Sequence, residues 1–113
     1  MRIGIFVARI DESPPAASPI FTETERRYCL ARRSPWPHLA GRYAAKRAAC
    51  VALGLSEEEG ERVLGDIEVA REPGRAPTLN FYREAVRLGE AGAKSYVSIS
   101  HSGNYAVALV VIE

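Results

Sequence analysis

Apolar residues recur with a period of two at the start of the chain. Ile3, Ile5 and Val7 alternate with Gly4, Phe6 and Ala8, and β-branched residues dominate, which predicts a strand over residues 2–10. The same period returns near the other end. Ala106, Ala108 and Val110 alternate with Val107, Leu109 and Val111 in a strand over 104–112, apolar on both faces. Such a strand belongs at the centre of a sheet, or is covered on its second face by another subunit. Residues 96–100 form the strand before it, joined through His101-Ser102-Gly103 as an antiparallel hairpin. Between these ends the period changes to that of a helix. Leu39, Tyr43, Cys50 and Leu53 fall on one stripe of an alanine-rich stretch over 39–54, with Pro37 ahead and Gly54 behind as start and stop signals.

The remaining segments read less strongly. Residues 11–19 are a loop rich in proline and serine. Residues 21–33 read as a helix, with Thr22 and Glu25 as a capping box and Phe21 as its hydrophobic staple, ended by Ser34-Pro35-Trp36-Pro37. Residues 56–62 are acidic and read as an exposed loop or a helical turn. A strand over 66–71, a turn at Pro73-Gly74-Arg75 and a short return strand over 76–79 follow. Asn80 is placed to cap a helix from 81 to about 88, and 89–94 is a loop containing Gly92. The mixture predicts an α+β fold, an antiparallel sheet packed with a central helix, in one domain spanning 1–113.

Composition narrows the function classes by exclusion. A formal net charge of +1 over 113 residues gives no general argument for binding nucleic acid or membrane. Two cysteines, Cys29 and Cys50, lie among apolar neighbours in helical segments and are expected as buried free thiols. With two histidines far apart, no zinc motif can be written. No apolar run reaches membrane-spanning length, the chain starts directly on a strand and no cleavable signal pattern is present. The expectation is a cytoplasmic protein without a leader.

Three polar features carry chemical options. Arg42, Lys46 and Arg47 interrupt the central helix. Arg42 and Lys46 are one turn apart, where like charges repel by roughly 0.2–0.5 kcal/mol, and an anion between them would remove that cost. Ser100-His101-Ser102-Gly103 offers two hydroxyls, an imidazole and a glycine-flanked backbone that can cradle a phosphate. Arg26, Arg27, Arg32 and Arg33 make the 21–33 helix the most basic part of the chain, a docking surface for an acidic partner. Taken singly, the default readings are a solvated basic face, a polar hairpin tip and a solvated helix. A Ser–His nucleophile is a weak option, because neighbouring side chains of an extended chain point to opposite sides and no orienting acid is evident.

Three blocks occur in order: Ile3-Gly4-Ile5; Leu39-Ala40-Gly41-Arg42-Tyr43-Ala44-Ala45-Lys46; and the run Val97-Ser98-Ile99-Ser100-His101-Ser102-Gly103-Asn104-Tyr105-Ala106-Val107-Ala108. Together with Phe21-Thr22-Glu23 and Pro77, they resemble the holo-(acyl carrier protein) synthase family over essentially the whole chain. The resemblance implies the 4′-phosphopantetheinyl transferase fold and a trimer with its site between neighbouring subunits. It implies transfer of the phosphopantetheine arm of coenzyme A to a serine of an acyl carrier protein, releasing 3′,5′-ADP. It implies that Arg42 and His101 hold the 3′-phosphate, that Lys46 lies near the phosphates, and that Ser100 and Ser102 flank the same pocket. The basic helix from Phe21 to Arg33 would then face the carrier protein.

The chain departs from the family where the chemistry lies. The metal-binding aspartate of the first strand, four residues after the first glycine, falls on Ala8. The metal-binding glutamate of the central motif falls on Arg47, and a second lysine of that motif on Val51. Magnesium takes hard oxygen ligands, which neither Ala8 nor Arg47 supplies, and this argues against a standard magnesium-assisted transfer by this chain alone. Losing two carboxylates and gaining a guanidinium adds three positive charges and losing the lysine removes one, leaving the charge of one magnesium ion. Arg47 is therefore expected to replace the metal as a diphosphate clamp, with Arg47 and Lys46 as the catalytic residues and no metal ligand. Three readings follow: a transferase with a rearranged site, a non-catalytic homologue that binds coenzyme A or a carrier protein, and a fold re-used for other chemistry on a carrier-bound substrate. Because the changes fall in the site, the last two together are weighted ahead of the first.

Overall fold

The computed structural model describes residues 1–88 and 94–113. Its elements run β1 (Arg2–Arg9), α1 (Glu23–Leu30), α2 (Pro35–Ala52), α3 (Glu57–Val63), β2 (Ile67–Ala70), β3 (Thr78–Phe81), α4 (Ala85–Leu88), β4 (Ser95–Ser102) and β5 (Tyr105–Ile112). Two sheets form. One has the order β1-β5-β4, antiparallel throughout, and the other pairs β2 with β3. The last strand is central, as its two apolar faces predict.

Helix α2 lies across the inner face of the larger sheet. From Leu39 to Ala49 only Tyr43 is other than buried, so the helix is enclosed nearly all round rather than on one stripe. Alanine makes this enclosure possible. Ala44, Ala45, Ala48 and Ala49 present only methyl groups, which lets Gly4, Ala8, Ala106 and Ala108 of the sheet approach closely. The outer face of the same sheet stays apolar and uncovered, with Ile3, Ile5 and Val7 each more than half exposed.

Several boundaries differ from the sequence expectation. Pro35 and Pro37 do not precede α2 but lie in its first turn, where a missing N–H is tolerated because those positions have no intrahelical acceptor. Residues 57–63 are a full helix, α3, closed by a second capping box between Ser56 and Glu59. Asn80 does not cap a helix. It sits inside β3 opposite Glu68, and the return strand runs Thr78–Phe81 rather than 76–79. The register explains this, because Leu79 must face inward opposite Val69, and that carries the pairing on to Ile67↔Phe81. Among the described residues the helix that follows is Ala85–Leu88, α4. The loop expected over 89–94 lies, except for Lys94, outside the described residues.

Candidate functional site

The hairpin places His101. Its turn is the two-residue Gly103-Asn104, with Gly103 at φ +57°. Residues 100–102 therefore continue the strand and keep its alternation. Val97 and Ile99 pack into the core beside α2, and His101 follows on that side, opposite buried Ala106. Ser100 and Ser102, opposite Val107 and Tyr105, belong to the outer face. The expectation that both serines flank the pocket of His101 is corrected within one subunit: a strand presents neighbours to opposite sides, and no turn intervenes to bring them together.

Around His101 the structure gathers other basic side chains. His38, in the first turns of α2, has its ring centroid 5.8 Å from that of His101. One turn on, the Arg42 guanidinium carbon lies 4.4 Å from the centroid of the Tyr28 ring, and that of Arg32 lies 4.6 Å from the same centroid. Tyr28 also meets the edge of His38, at 6.2 Å. Arg42 is 4 % exposed, and its Nε is buried without a hydrogen-bond partner. A buried donor left unpaired costs about 1–3 kcal/mol, so this orphan is where a ligand acceptor gains most. Burial, then the charges of Arg42, His101, Arg32 and Arg71, push the His38 imidazole below the ordinary histidine range. A concentration of like charge with an unpaired donor is what an anion site needs.

Of these residues, sequence reading named Arg42 and His101 as ligands. Tyr28, His38 and Arg71 were missed, and Arg32 was counted only as part of a basic helix. Two signals were present: Tyr28 with Arg32, and His38 with Arg42, are each four residues apart on a helix or at its end. Arg71 follows β2 and carried no local signal.

Lys46 is not in this cluster. It is fully buried, and its Nζ ion-pairs with Glu25 Oε1 at 2.7 Å. It also donates to the carbonyl oxygens of Ile20 (2.7 Å), Leu64 (3.2 Å) and Ile67. Burial pushes its ammonium down from the ordinary lysine range, opposed chiefly by Glu25. Every donor is engaged, so the expectation of Lys46 near a phosphate or in a catalytic role is corrected. The anion that relieves its repulsion from Arg42 is Glu25, which also closes the α1 capping box and accepts from the Val69 N–H at 2.8 Å.

Arg47 lies on another face of α2, 9 % exposed, with its guanidinium carbon 5.4 Å from the Phe6 ring centroid. Its Nε, like that of Arg42, is buried without a hydrogen-bond partner, and Nη2 is 3.9 Å from the exposed carboxylate of Glu57. Ala8 is buried on the inner face of β1. These two positions hold no oxygen donor, and among the described residues no cluster of three or more His, Cys, Asp or Glu side chains is placed to hold a metal ion. A hard divalent cation does not fit here. Both cysteines are buried and free, with thiols pushed up by burial and therefore protonated and inert.

The basic helix is less available than its sequence suggests. Arg26 donates to the carbonyls of Ala16, Ser18 and Phe21 and to Glu23, fixing the loop before α1. Arg27 and Arg33 remain exposed.

Comparison with known proteins gives one answer. No family model matches the chain. A holo-(acyl-carrier-protein) synthase of Syntrophotalea carbinolica is 45 % identical over 96 residues, covering 83 % of this chain and 74 % of the relative. One from Moorella thermoacetica is 37 % identical over 115 residues, covering 96 % and 88 %. Among solved structures, a Chronobacterium ammoniagenes ACPS–CoA complex superposes with a TM-score of 0.81 at 28 % identity, covering 98 % of this chain and 95 % of that one. A Bacillus anthracis holo-(acyl-carrier-protein) synthase in complex with CoA (3′,5′-ADP) gives 0.73 at 30 %, covering 99 % and 95 %. With that identity over most of both sequences and the same fold, this chain belongs to the holo-(acyl-carrier-protein) synthase family.

Proposed function

We propose that the chain is a 4′-phosphopantetheinyl transferase that takes its arm from coenzyme A and places it on a serine of an acyl carrier protein. The observation that carries this is the cluster of two guanidiniums, Arg32 and Arg42, and two imidazoles, His38 and His101, around Tyr28, with the unpaired Nε of Arg42, in a family whose relatives are named for this reaction. Arg42 and His101 hold the 3′-phosphate. In the transfer step the serine oxygen bonds to the phosphorus bearing the pantetheine arm. The bond from that phosphorus to the bridging oxygen breaks, 3′,5′-ADP leaves and the serine proton is released. Relatives such as those of Koribacter versatilis, Syntrophotalea carbinolica and Moorella thermoacetica are named holo-(acyl-carrier-protein) synthase, which puts the transferase ahead of the binding-only and re-used-fold readings. Incubating apo carrier protein with coenzyme A and this chain, followed by mass spectrometry, should show the gain of one phosphopantetheine arm. Persistent apo protein with coenzyme A still bound to the chain would overturn the transferase reading in favour of binding alone.

Arg47 takes the place of the divalent cation beside the diphosphate. Its support is the buried, unpartnered Nε and the guanidinium held over the Phe6 ring. A guanidinium offers two parallel donors to phosphate oxygens and needs no metal ligands. Calorimetric affinity for coenzyme A should then be the same in magnesium and in EDTA to within about twofold. The double substitution Ala8→Asp, Arg47→Glu should make affinity rise on adding magnesium. Binding by the unsubstituted chain that collapses in EDTA would refute this role.

Two partner assignments complete the reading. The apolar outer face formed by Ile3, Ile5, Val7, Val107 and Leu109 is covered by further copies of this chain in a trimer, which brings Ser100 and Ser102 to a neighbour rather than to their own His101. The acidic carrier protein docks beside α1, where Arg27 and Arg33 are open to it. No helix among the described residues is long and apolar enough to cross a membrane. The two buried reduced thiols suit a cytoplasmic setting.

A further inference from the structure

The cluster around Tyr28 contains a titratable group that neither the resemblance nor the transfer step calls on. His38 is half-buried, so a ligand can reach it, and its ring is fixed between Tyr28 on one side and His101 on the other, at 6.2 and 5.8 Å. The groups facing it come from every neighbouring element. Tyr28 comes from α1, Arg32 from the turn after α1, Arg42 from one turn further along α2, His101 from β4 and Arg71 from the end of β2. All the charged members of this set are positive when ionised. The Ser34 side chain makes no capping bond at the start of α2, so the positive end of the helix dipole adds to the same field.

We propose that His38 is a second imidazole of the 3′-phosphate site, and that it makes the preference for a 3′-phosphorylated nucleotide over its dephosphorylated counterpart strengthen as pH falls. The inference rests on the coenzyme A reading and deepens it. Without an anion, protonating His38 adds a charge to a site already occupied by Arg32, Arg42 and Arg71, which disfavours the imidazolium. A dianionic phosphate reverses the balance: the imidazolium becomes a donor to the phosphate, and its affinity for a proton rises with occupancy. Proton uptake on binding means tighter binding at lower pH. A nucleotide lacking the 3′-phosphate places no charge there and gains nothing from the proton. His38 then acts as a specificity residue whose contribution is graded by pH, whereas Arg42 supplies a constant one.

Calorimetry with coenzyme A and dephospho-coenzyme A, at about pH 8 and about pH 6, tests this on the full chain and on His38→Gln and His38→Lys. The ratio of the two affinities measures discrimination. Every other titratable group at the site is common to all three proteins, so the difference between proteins isolates His38. The unsubstituted chain should discriminate roughly tenfold more strongly than His38→Gln at the lower pH and nearly equally at the higher. His38→Lys, charged throughout, should keep the stronger discrimination at both. Equal discrimination by the unsubstituted chain and His38→Gln at both pH values would overturn the role of His38 while leaving the coenzyme A reading intact. Failure of the unsubstituted chain to bind coenzyme A at either pH would overturn both.

Discussion

Replacing Lys46 by alanine is expected to cost the fold about 3–5 kcal/mol, most of the stability of a typical small domain. The loss comes from what is left behind. Glu25 would hold an uncompensated charge at 1 % exposure, and the carbonyls of Ile20, Leu64 and Ile67 would lose a shared donor. The pair joins α1, α2, the turn at 64–66 and β2, so no single element can relax to absorb the change. Urea or thermal denaturation should show a large fall in midpoint for Lys46→Ala. Pairing Lys46→Met with Glu25→Gln should recover part of it, because removing both charges avoids a buried lone ion. A Lys46→Ala protein that melts like the unsubstituted chain but no longer transfers the arm would place the ammonium at the substrate after all.

Lys46 also shows how far the sequence could be read. The alternation of β1 and β5, the alanine-rich helix and the Thr22–Glu25 box are local patterns, and each appears where its period puts it. What the pattern could not say is which way a charged side chain turns on a helix enclosed on nearly all sides. Arg42, Lys46 and Arg47 are neighbours in sequence, yet one lies on Tyr28, one meets Glu25 and one lies on Phe6. A stripe rule assigns one face to water, and α2 has almost none. The cluster was legible where a residue's place depends on its own strand or helix, as for Arg42 on α2. It was illegible where partners come from distant segments, as with Tyr28, His38 and Arg71, or where a one-residue shift in a turn decides which face a side chain takes, as with Ser100 and Ser102.

The second large effect is expected at Gly4. A β-carbon built there would lie 1.9 Å from the carbonyl oxygen of Ala48, 2.7 Å from the backbone nitrogen of Ala52 and 2.9 Å from the carbonyl carbon of Ala48. These are backbone atoms of α2, not the ends of flexible side chains, so the helix itself must move away from β1. That movement opens the contacts through which Ala8, Ala44, Ala45 and Ala48 close the core, and Gly4→Ala should cost about 3 kcal/mol or more. Gly54→Ala is the matched control. Gly54 has φ +73° and open space around it, so alanine there meets only backbone strain, about 1 kcal/mol. Denaturation midpoints should therefore fall far more for Gly4→Ala than for Gly54→Ala. Because α2 carries His38, Arg42 and Arg47, the folded fraction of Gly4→Ala should also bind coenzyme A more weakly, although Gly4 touches none of those side chains' ligands. Equal midpoints for the two variants would mean that β1 and α2 are not in backbone contact, and the closeness that alanine and glycine give this core would not be what positions the site.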